Sequence, residues 1–405
     1  MSQSNFSLQA FQVSTSSGAI SFSANHLLEF NYYEDIEQAS IVVTATVTDT
    51  GTGRLSEIVG LEPVELKMTD NQGTTLSLSL IVFEIKNRKV DDAKQLSVTL
   101  CMCNKDVILN SALKISTRFG SGAGQDISEI VTNLLKKTMK TKIPIAQVDP
   151  TQGKFSFISN YWDPYYIIKW LSWRAIPAKG SGKNSSAGYL FFENAKGYNF
   201  RSMDNLVAQP VTREIFIKKN YDLGDDKQIV TDTFKVIDSS DIMRGLNLGS
   251  YSSTTHTYDV KDRKYTEVPF NVVEFYSSMP KLNSQELPGV LTTALSKLPP
   301  TRIMSKVLNT ANFTEGTYTQ DLTKQLSQSH LRRQFFFNSV AEVEYFGDMN
   351  LIVGQIVEIV TRKGKDRSKD TKQSGKYIVG KIHRQFISAN DQMRTKVTLY
   401  RDSLG

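Results

Sequence analysis

Four histidines and two cysteines are the side chains of this chain best suited to nucleophilic, acid–base or metal chemistry, and their spacing argues against each. His26, His256, His330 and His383 are scattered and form no H-E-x-x-H pairing. Cys101 and Cys103 supply two thiols with no matching second pair, so no zinc site is expected. No Gly-x-Ser-x-Gly elbow presents a nucleophile to any of the histidines. Glycines come no closer to a cofactor cradle. Gly120, Gly122 and Gly124 open a helix after a strand-like run, but not at G-x-G-x-x-G spacing and without an evident parallel βαβ context. Gly180, Ser181, Gly182, Lys183 and Asn184 resemble a phosphate loop but lack the Ser or Thr after Lys183 that would hold magnesium, and they read as a connector. The 41 acidic residues supply chance carboxylate pairs for glycoside hydrolysis, whose spacing is spatial. The expectation is no catalytic residue, no cofactor and no metal.

Charge is the more informative chemistry. Between Arg362 and Lys381 stand eight basic residues (Arg362, Lys363, Lys365, Arg367, Lys369, Lys372, Lys376, Lys381) against Asp366 and Asp370, a local +6 within a total of +7. The first sixty residues carry Arg54 against Glu29, Glu34, Asp35, Glu37, Asp49 and Glu57, a balance of −5. Such asymmetry suits steering between protein subunits as well as contact with nucleic acid. We read Arg362, Lys363, Lys365, Arg367, Lys369 and Lys372 as a candidate partner-docking arm. Aromatic side chains cluster at Tyr161, Trp162, Tyr165, Tyr166, Trp170 and Trp173, a set that could stack sugars or bases but whose helical spacing favours core packing.

The elements that would position these residues are mostly strands. Val43, Ala45 and Val47 alternate with Thr44, Thr46 and Thr48; Leu76, Leu78 and Leu80 alternate with Thr75, Ser77 and Ser79; Leu96, Val98, Leu100 and Met102 share one face. Asp49 to Gly53 and Asp70 to Gly73 are turn clusters between them. After the Gly and Ser loop Phe119 to Gln125, Asp126 or Ser128 caps a helix with the stripe Ile127, Ile130, Val131, Leu134 and Leu135. Asp163 and Pro164 start a second helix, which Pro177 stops, and Gly188 to Phe192 is a strand. Strands are expected at Arg213 to Lys218, Thr231 to Ile237 and within Tyr265 to Ser277. A helix over Thr319 to Gln334 leads into strands Phe335 to Phe346, Leu351 to Arg362, Lys376 to Ile387 and Lys396 to Arg401. Phe335, Phe336 and Phe337 cover both faces of that first strand, so we read them as a candidate subunit interface that supplies the second cover.

At 405 residues with 40% hydrophobic content the chain is long enough for roughly two to four domains. No stretch reaches the roughly 18 apolar residues of a membrane helix, and Met1 to Ala10 has neither a basic nor an apolar region, so a soluble, unprocessed protein without membrane insertion is expected. Cys101 and Cys103, two apart in a strand, would form a strained disulfide, which fits a reducing cytoplasm.

Several segments, taken in order, resemble the baseplate hub protein of contractile-tailed bacteriophages and the hub part of type VI secretion spike proteins. They are Gly60 to Leu66, Gln95 to Cys103 with Leu113 to Phe119, Trp162 to Ala175 with Gly188 to Phe192 and Met203 to Leu206, and Gly375 to His383 with Thr395 to Arg401. The resemblance implies an α+β, β-rich chain with two tail-tube-like antiparallel β-barrel domains, an α/β insert and a loop-rich middle domain. The divisions it suggests are 1–115 for the first barrel, 116–205 for the insert, 206–240 with 326–405 for the second barrel and 241–325 for the middle domain. It further implies a structural, non-enzymatic homotrimer that joins the hexameric tail tube to the trimeric central spike and leaves a channel for genome ejection. Tail tube protein, spike protein and other baseplate proteins would be its partners, with DNA only in transit. It would be assembled in the host cytoplasm and reside in the virion's tail baseplate. The alternatives are a tail-associated cell-wall-degrading enzyme and a DNA-binding virion protein acting through the basic loop.

Overall fold

Alternation of apolar and hydroxyl side chains folds most of this chain into strands. In Val42–Thr48, Val43, Ala45 and Val47 are fully buried while the intervening threonines stay partly exposed, as a pleat buried on one face requires. The computed structural model describes residues 6–49, 53–90, 96–120, 124–178, 188–217, 228–231, 233–238, 242–249, 251–276, 279–284, 300, 302–308, 329, 332–337, 339–362, 369–370, 372–388 and 392–403. Among them one sheet of 14 strands dominates.

The sheet has two halves. The first runs Gly18–Ser21, Phe6–Thr15, Pro63–Asp70, Thr75–Val90, Leu96–Cys103, Val42–Thr48 and Leu27–Asp35, all antiparallel. The second is built around the long strand Gly375–Ile387 with Gln392–Arg401, Ser339–Phe346, Thr233–Asp238 and Ile356–Val360; Val211–Ile217 lies parallel to both Ile356–Val360 and Gln228–Thr231. The halves join edge to edge, because Leu27–Asp35 pairs antiparallel with Gly375–Ile387 from Asp35 opposite Lys381 to Glu29 opposite Ile387. Each half has its own apolar core. Phe11, Phe30, Val43, Val64, Met68 and Leu100 belong to the first, and Ile215, Val343, Ile359, Ile378, Val397 and Leu399 to the second.

Gly380 is the pivot of the junction. One edge of its strand pairs with Ile356–Val360 up to Ile378 and with Leu27–Asp35 from Lys381 onward, and the register against Gln392–Arg401 shifts between Val379 and Lys381. At this bulge the Gly380 carbonyl accepts from Ile36 N–H at 2.8 Å. A Cβ on Gly380 would lie 2.0 Å from the Tyr400 ring, so only glycine fits.

Beneath the seam a buried carboxylate ties three parts of the chain. Glu34 accepts from Val353 N–H at 2.8 Å, from Ala195 N–H at 3.1 Å and from the Tyr32 hydroxyl. Arg384, equally buried, donates to the carbonyls of Asp348 and Leu351. Next to them Glu193 accepts from Ile41 N–H at 2.9 Å and from the Asn104 amide. A second tie lies on the far side: Arg332 meets Asp402 at 2.8 Å and Asp204 at 3.6 Å and donates to the Pro280 carbonyl at 2.7 Å. Burying such groups is tolerable only because each is paired or hydrogen-bonded.

The expected insert packs helix Ile127–Asn133, continued through Leu134–Thr138, and helix Pro164–Ser172 against the hairpin Tyr189–Asn194 and Gly197–Ser202. The stripe Ile127, Ile130, Val131, Leu134 and Leu135 is buried. Asp163 occupies the N-cap position before Pro164, although its carboxylate pairs with Lys114. The stretch read as loop-rich carries helix Ile242–Leu248 and a sheet of Lys264–Asn271, Ser252–Asp259 and Arg302–Leu308. Its strand Ser252–Asp259, mostly serine and threonine, lacks the apolar alternation that marks a strand in sequence.

Three expectations change. Among the described residues no barrel closes on itself, because the edge of Leu27–Asp35 that closure would use is spent on Gly375–Ile387. Phe335 and Phe336 lie in a helical turn, 332–336, and the strand begins only at Ser339. Strand Ile356–Val360 is shorter than Leu351 to Arg362, since Gly354 takes a φ of +90° and turns the chain before it. Most of the expected helix Thr319 to Gln334 lies outside the described residues.

Two measurements test these ties. Gly380→Ala should cost about 1–3 kcal/mol through overpacking, read as a lower thermal midpoint, and Tyr400→Leu in the same chain should recover most of it. Burial pushes the Glu193 carboxyl up to about 7 from 4.5. A carboxyl whose folded value is raised binds its proton more tightly when folded, so stability falls as pH rises from about 4.5 to about 7. Glu193→Gln, which keeps an acceptor, should match the parent at pH 4.5 and exceed it at pH 8 by up to about 3 kcal/mol, as followed by calorimetry.

Candidate functional site

The face of the sheet turned away from the cores is mostly polar, with Tyr33, Phe346 and Ile387 as exposed apolar exceptions. Along Leu27–Asp35 the alternate residues Glu29, Asn31, Tyr33 and Asp35 point outward while Phe30, Tyr32 and Glu34 point in. Their cross-strand neighbours continue the face through Lys381, His383 and Gln385, then Lys396 and Arg394, then Glu342 and Glu344. The charges alternate so that cations meet carboxylates: Lys381 with Asp35 at 2.9 Å, Lys396 with Glu342 at 3.0 Å, Arg394 with Glu344 at 3.3 Å and, in the first half, Lys86 with Glu84 at 2.8 Å. Hydroxyls and amides fill the intervals, with Thr46 bonded to Thr99 and Gln385 donating to Glu29.

At the centre of the seam His383 stacks on Tyr33, ring centroids 4.4 Å apart, and its Nε2 lies 2.8 Å from Asn31 Oδ1. Burial, reinforced by the Lys396 ammonium, holds the His383 imidazole below its ordinary value. The seam histidine is therefore an uncharged stacking partner. Chemically the face is self-neutralised: it offers many hydrogen-bonding groups and little net field.

The basic excursion leaves the sheet between Ile356–Val360 and Gly375–Ile387. Its neck is tied, since Arg362 pairs in a bridge with Lys369, Asp370 N–H donates to Thr361, and Ser374 Oγ bonds both the N–H and the carbonyl of Thr361. Arg362, Lys369 and Lys372 are exposed, and Lys369 pairs with Glu358 at 2.9 Å. Lys363, Lys365 and Arg367 lie outside the described residues.

The acidic amino-terminal balance is largely committed inside the chain. Glu34 is held at the seam, Asp35 by Lys381, Glu37 by Arg333 at 3.0 Å and Glu57 by Arg54 at 3.0 Å, while Asp49 accepts from Gly53 N–H. The −5 end is therefore a poor reservoir for the +6 excursion. Phe335 packs against Tyr251 and Tyr276, Phe336 joins the second β core, and Phe337 meets the Tyr400 ring edge-on at 4.8 Å. The chain itself supplies the second cover that the sequence reading asked of a neighbouring subunit.

Other sequence features acquire structural roles. Gly120 sits at φ +68°, and a Cβ there would come within 2.1 Å of the Phe155 carbonyl, so packing explains it. Gly122, Gly180 to Asn184 and His330 lie outside the described residues. Trp170 packs on Phe155, Phe157 and Trp162 as core, whereas Tyr161 and Tyr166 are exposed. Glu34, Glu193, Arg332 and Arg384 were missed by sequence reading. Their partners lie up to 319 positions away, and no local pattern marks them.

Compared with solved structures, the chain is similar over 98% of its length to the tail protein from Neisseria meningitidis MC58, of which 97% is covered, with a TM-score of 0.60 and 7% identity. It is similar over 97% of its length to the 43 kDa tail protein of prophage MuSo2 from Shewanella oneidensis, covering 98% of that chain, with a TM-score of 0.56 and 10% identity. No family model and no curated protein matches. At such identities the likeness is one of fold, and it runs the whole length of both chains, consistent with the tail-hub resemblance of the segments above.

The charge ladder makes its own prediction. Asp35→Lys alone should destabilise the fold, and adding Lys381→Glu should restore about 0.5–1 kcal/mol of coupling in a double-mutant cycle. That coupling should shrink in high salt, because the pair is partly exposed.

Proposed function

We propose that this chain is the structural hub of a contractile phage-tail baseplate, a ring protein without catalytic activity that joins a hexameric tail tube to a trimeric spike. The observation that carries this reading is the seam. Two β halves of one chain share one hydrogen-bonded sheet, so three copies bring six such halves to a ring. A closed ring of that kind can match sixfold symmetry on one side and threefold on the other. The full-length likeness to two tail proteins supports it.

The self-neutralised face suits the wall of the channel through which the genome leaves. A polyanion is retained by unpaired cations that displace its counterions, and here Lys381, Lys396, Arg394 and Lys86 are already matched to carboxylates. The basic excursion, with Arg362, Lys363, Lys365, Arg367, Lys369 and Lys372, is a docking arm. Because the chain's own amino-terminal acids are engaged, its complement is an acidic patch on another baseplate polypeptide, such as the tube or spike protein. The protein resides in the tail of the virion.

Negative-stain images of the purified chain should show a ring with a central channel; a compact monomer, alone and with its spike, would sink the hub. Replacing Lys363, Lys365, Arg367 and Lys369 by Glu should leave the ring intact in native mass spectrometry and release a baseplate partner. Strong, salt-dependent DNA retardation by the purified chain would favour the DNA-binding alternative, and release of soluble peptidoglycan fragments the wall-degrading one.

A further inference from the structure

A cavity of about 210 Å³ lies where the first β half, the insert helix Pro164–Ser172 and the helical turn at 332–336 meet. Its floor is apolar: Ile36, Leu190 and Phe191 are 0%, 1% and 8% exposed. Its rim is charged and carries two cations against one carboxylate. Arg333 is braced between Glu37 at 3.0 Å and the Trp173 ring, 4.6 Å below its guanidinium. Lys169 is exposed, and no carboxylate among the described residues pairs with it. An engineered cavity of roughly 150 Å³ already admits a benzene ring, so this one holds a single aromatic side chain.

The surface beside the cavity continues its character. Tyr166 lines the cavity, is 51% exposed and meets Trp162 edge-on at 5.2 Å. Tyr161, which precedes Trp162 in the chain, is 71% exposed and takes a φ of +52°. Trp162 anchors this ledge through a two-way backbone bridge to Ile115. A small ligand would leave the ledge uncovered, whereas an extended polypeptide would reach along it from the cavity.

From this we infer a docking site for a segment of a partner polypeptide in which an aromatic side chain stands next to an Asp or Glu. The ring fills the cavity, the neighbouring carboxylate meets Lys169 and Arg333, and the chain beyond covers Tyr166 and Tyr161. Recognition of this kind couples an aromatic anchor to a charge-assisted contact at the rim. The site stands on its own residues and does not depend on the hub reading.

The test uses the full chain and two probes with one ring, 3-(4-hydroxyphenyl)propionate and its amide, followed by saturation-transfer NMR. The acid should bind with a roughly millimolar Kd and the amide about tenfold more weakly, as expected for loss of one charge-assisted contact. Lys169→Glu, at an exposed position, should abolish the preference for the acid without moving the thermal midpoint, and Tyr166→Ala should weaken both probes. Absence of binding by both probes, equal binding of acid and amide, or an unchanged preference in Lys169→Glu would each overturn the site. A ring-shaped particle with no probe binding would refute the site alone, and probe binding by a monomer would refute the hub alone.

Discussion

The antiparallel pairing of Leu27–Asp35 with Gly375–Ile387 is the interaction on which the rest of this molecule depends. A strand edge left open exposes unpaired backbone groups and invites other chains. Here two such edges, more than three hundred residues apart in sequence, satisfy each other. Among the described residues that choice leaves neither half closed into a barrel and yields one sheet with two cores. It also brings the insert and the 348–353 segment close enough for a single carboxylate, Glu34, to accept from Val353 and Ala195 at once.

Electrostatics works differently above and below that sheet. Below it, Glu34, Glu193, Arg332 and Arg384 are nearly water-free and act as ties between segments; losing one partner would strand a buried charge, which is far costlier than losing a surface pair. Above it, half-exposed pairs such as Lys381 with Asp35 add little stability each. Their effect is on the surface itself, because matched charges leave little field to attract a passing polyanion or a second sheet. The same accounting reassigns the acidic amino terminus. Residues that looked like one half of an intermolecular contact turn out to neutralise Arg54, Arg333 and Lys381 within the chain.

Much of this was legible in the residues. Alternation in Val42–Thr48 and Leu96–Cys103, the Asp163–Pro164 helix start and the stripe of Ile127–Leu135 all describe which way a side chain points relative to its own backbone, and that depends on a few neighbouring residues. The strand Ser252–Asp259 escaped because serine and threonine stand on both of its faces, so no period-2 signal exists, and in Arg302–Leu308 the apolar residues fall in the adjacent pairs Ile303, Met304 and Val307, Leu308, which breaks the alternation. Phe335 to Phe337 misled for a related reason. Three consecutive phenylalanines say that all sides are covered, but a helical turn between two cores satisfies that as well as a doubly covered strand.

The amino-acid sequence by itself determined the β-rich class, the inward and outward faces of its clearest strands and the place of the basic excursion, because each is set by local geometry and composition. Only the tertiary structure decided which edges pair, that Gly380 must be glycine under the Tyr400 ring, which carboxylate meets which cation and where the cavity beside Lys169 forms. Those outcomes depend on backbone hydrogen bonds and packing between segments hundreds of residues apart. A pairing of that kind is selected by the shape and unsatisfied groups of the whole fold, and neither partner segment carries a record of it.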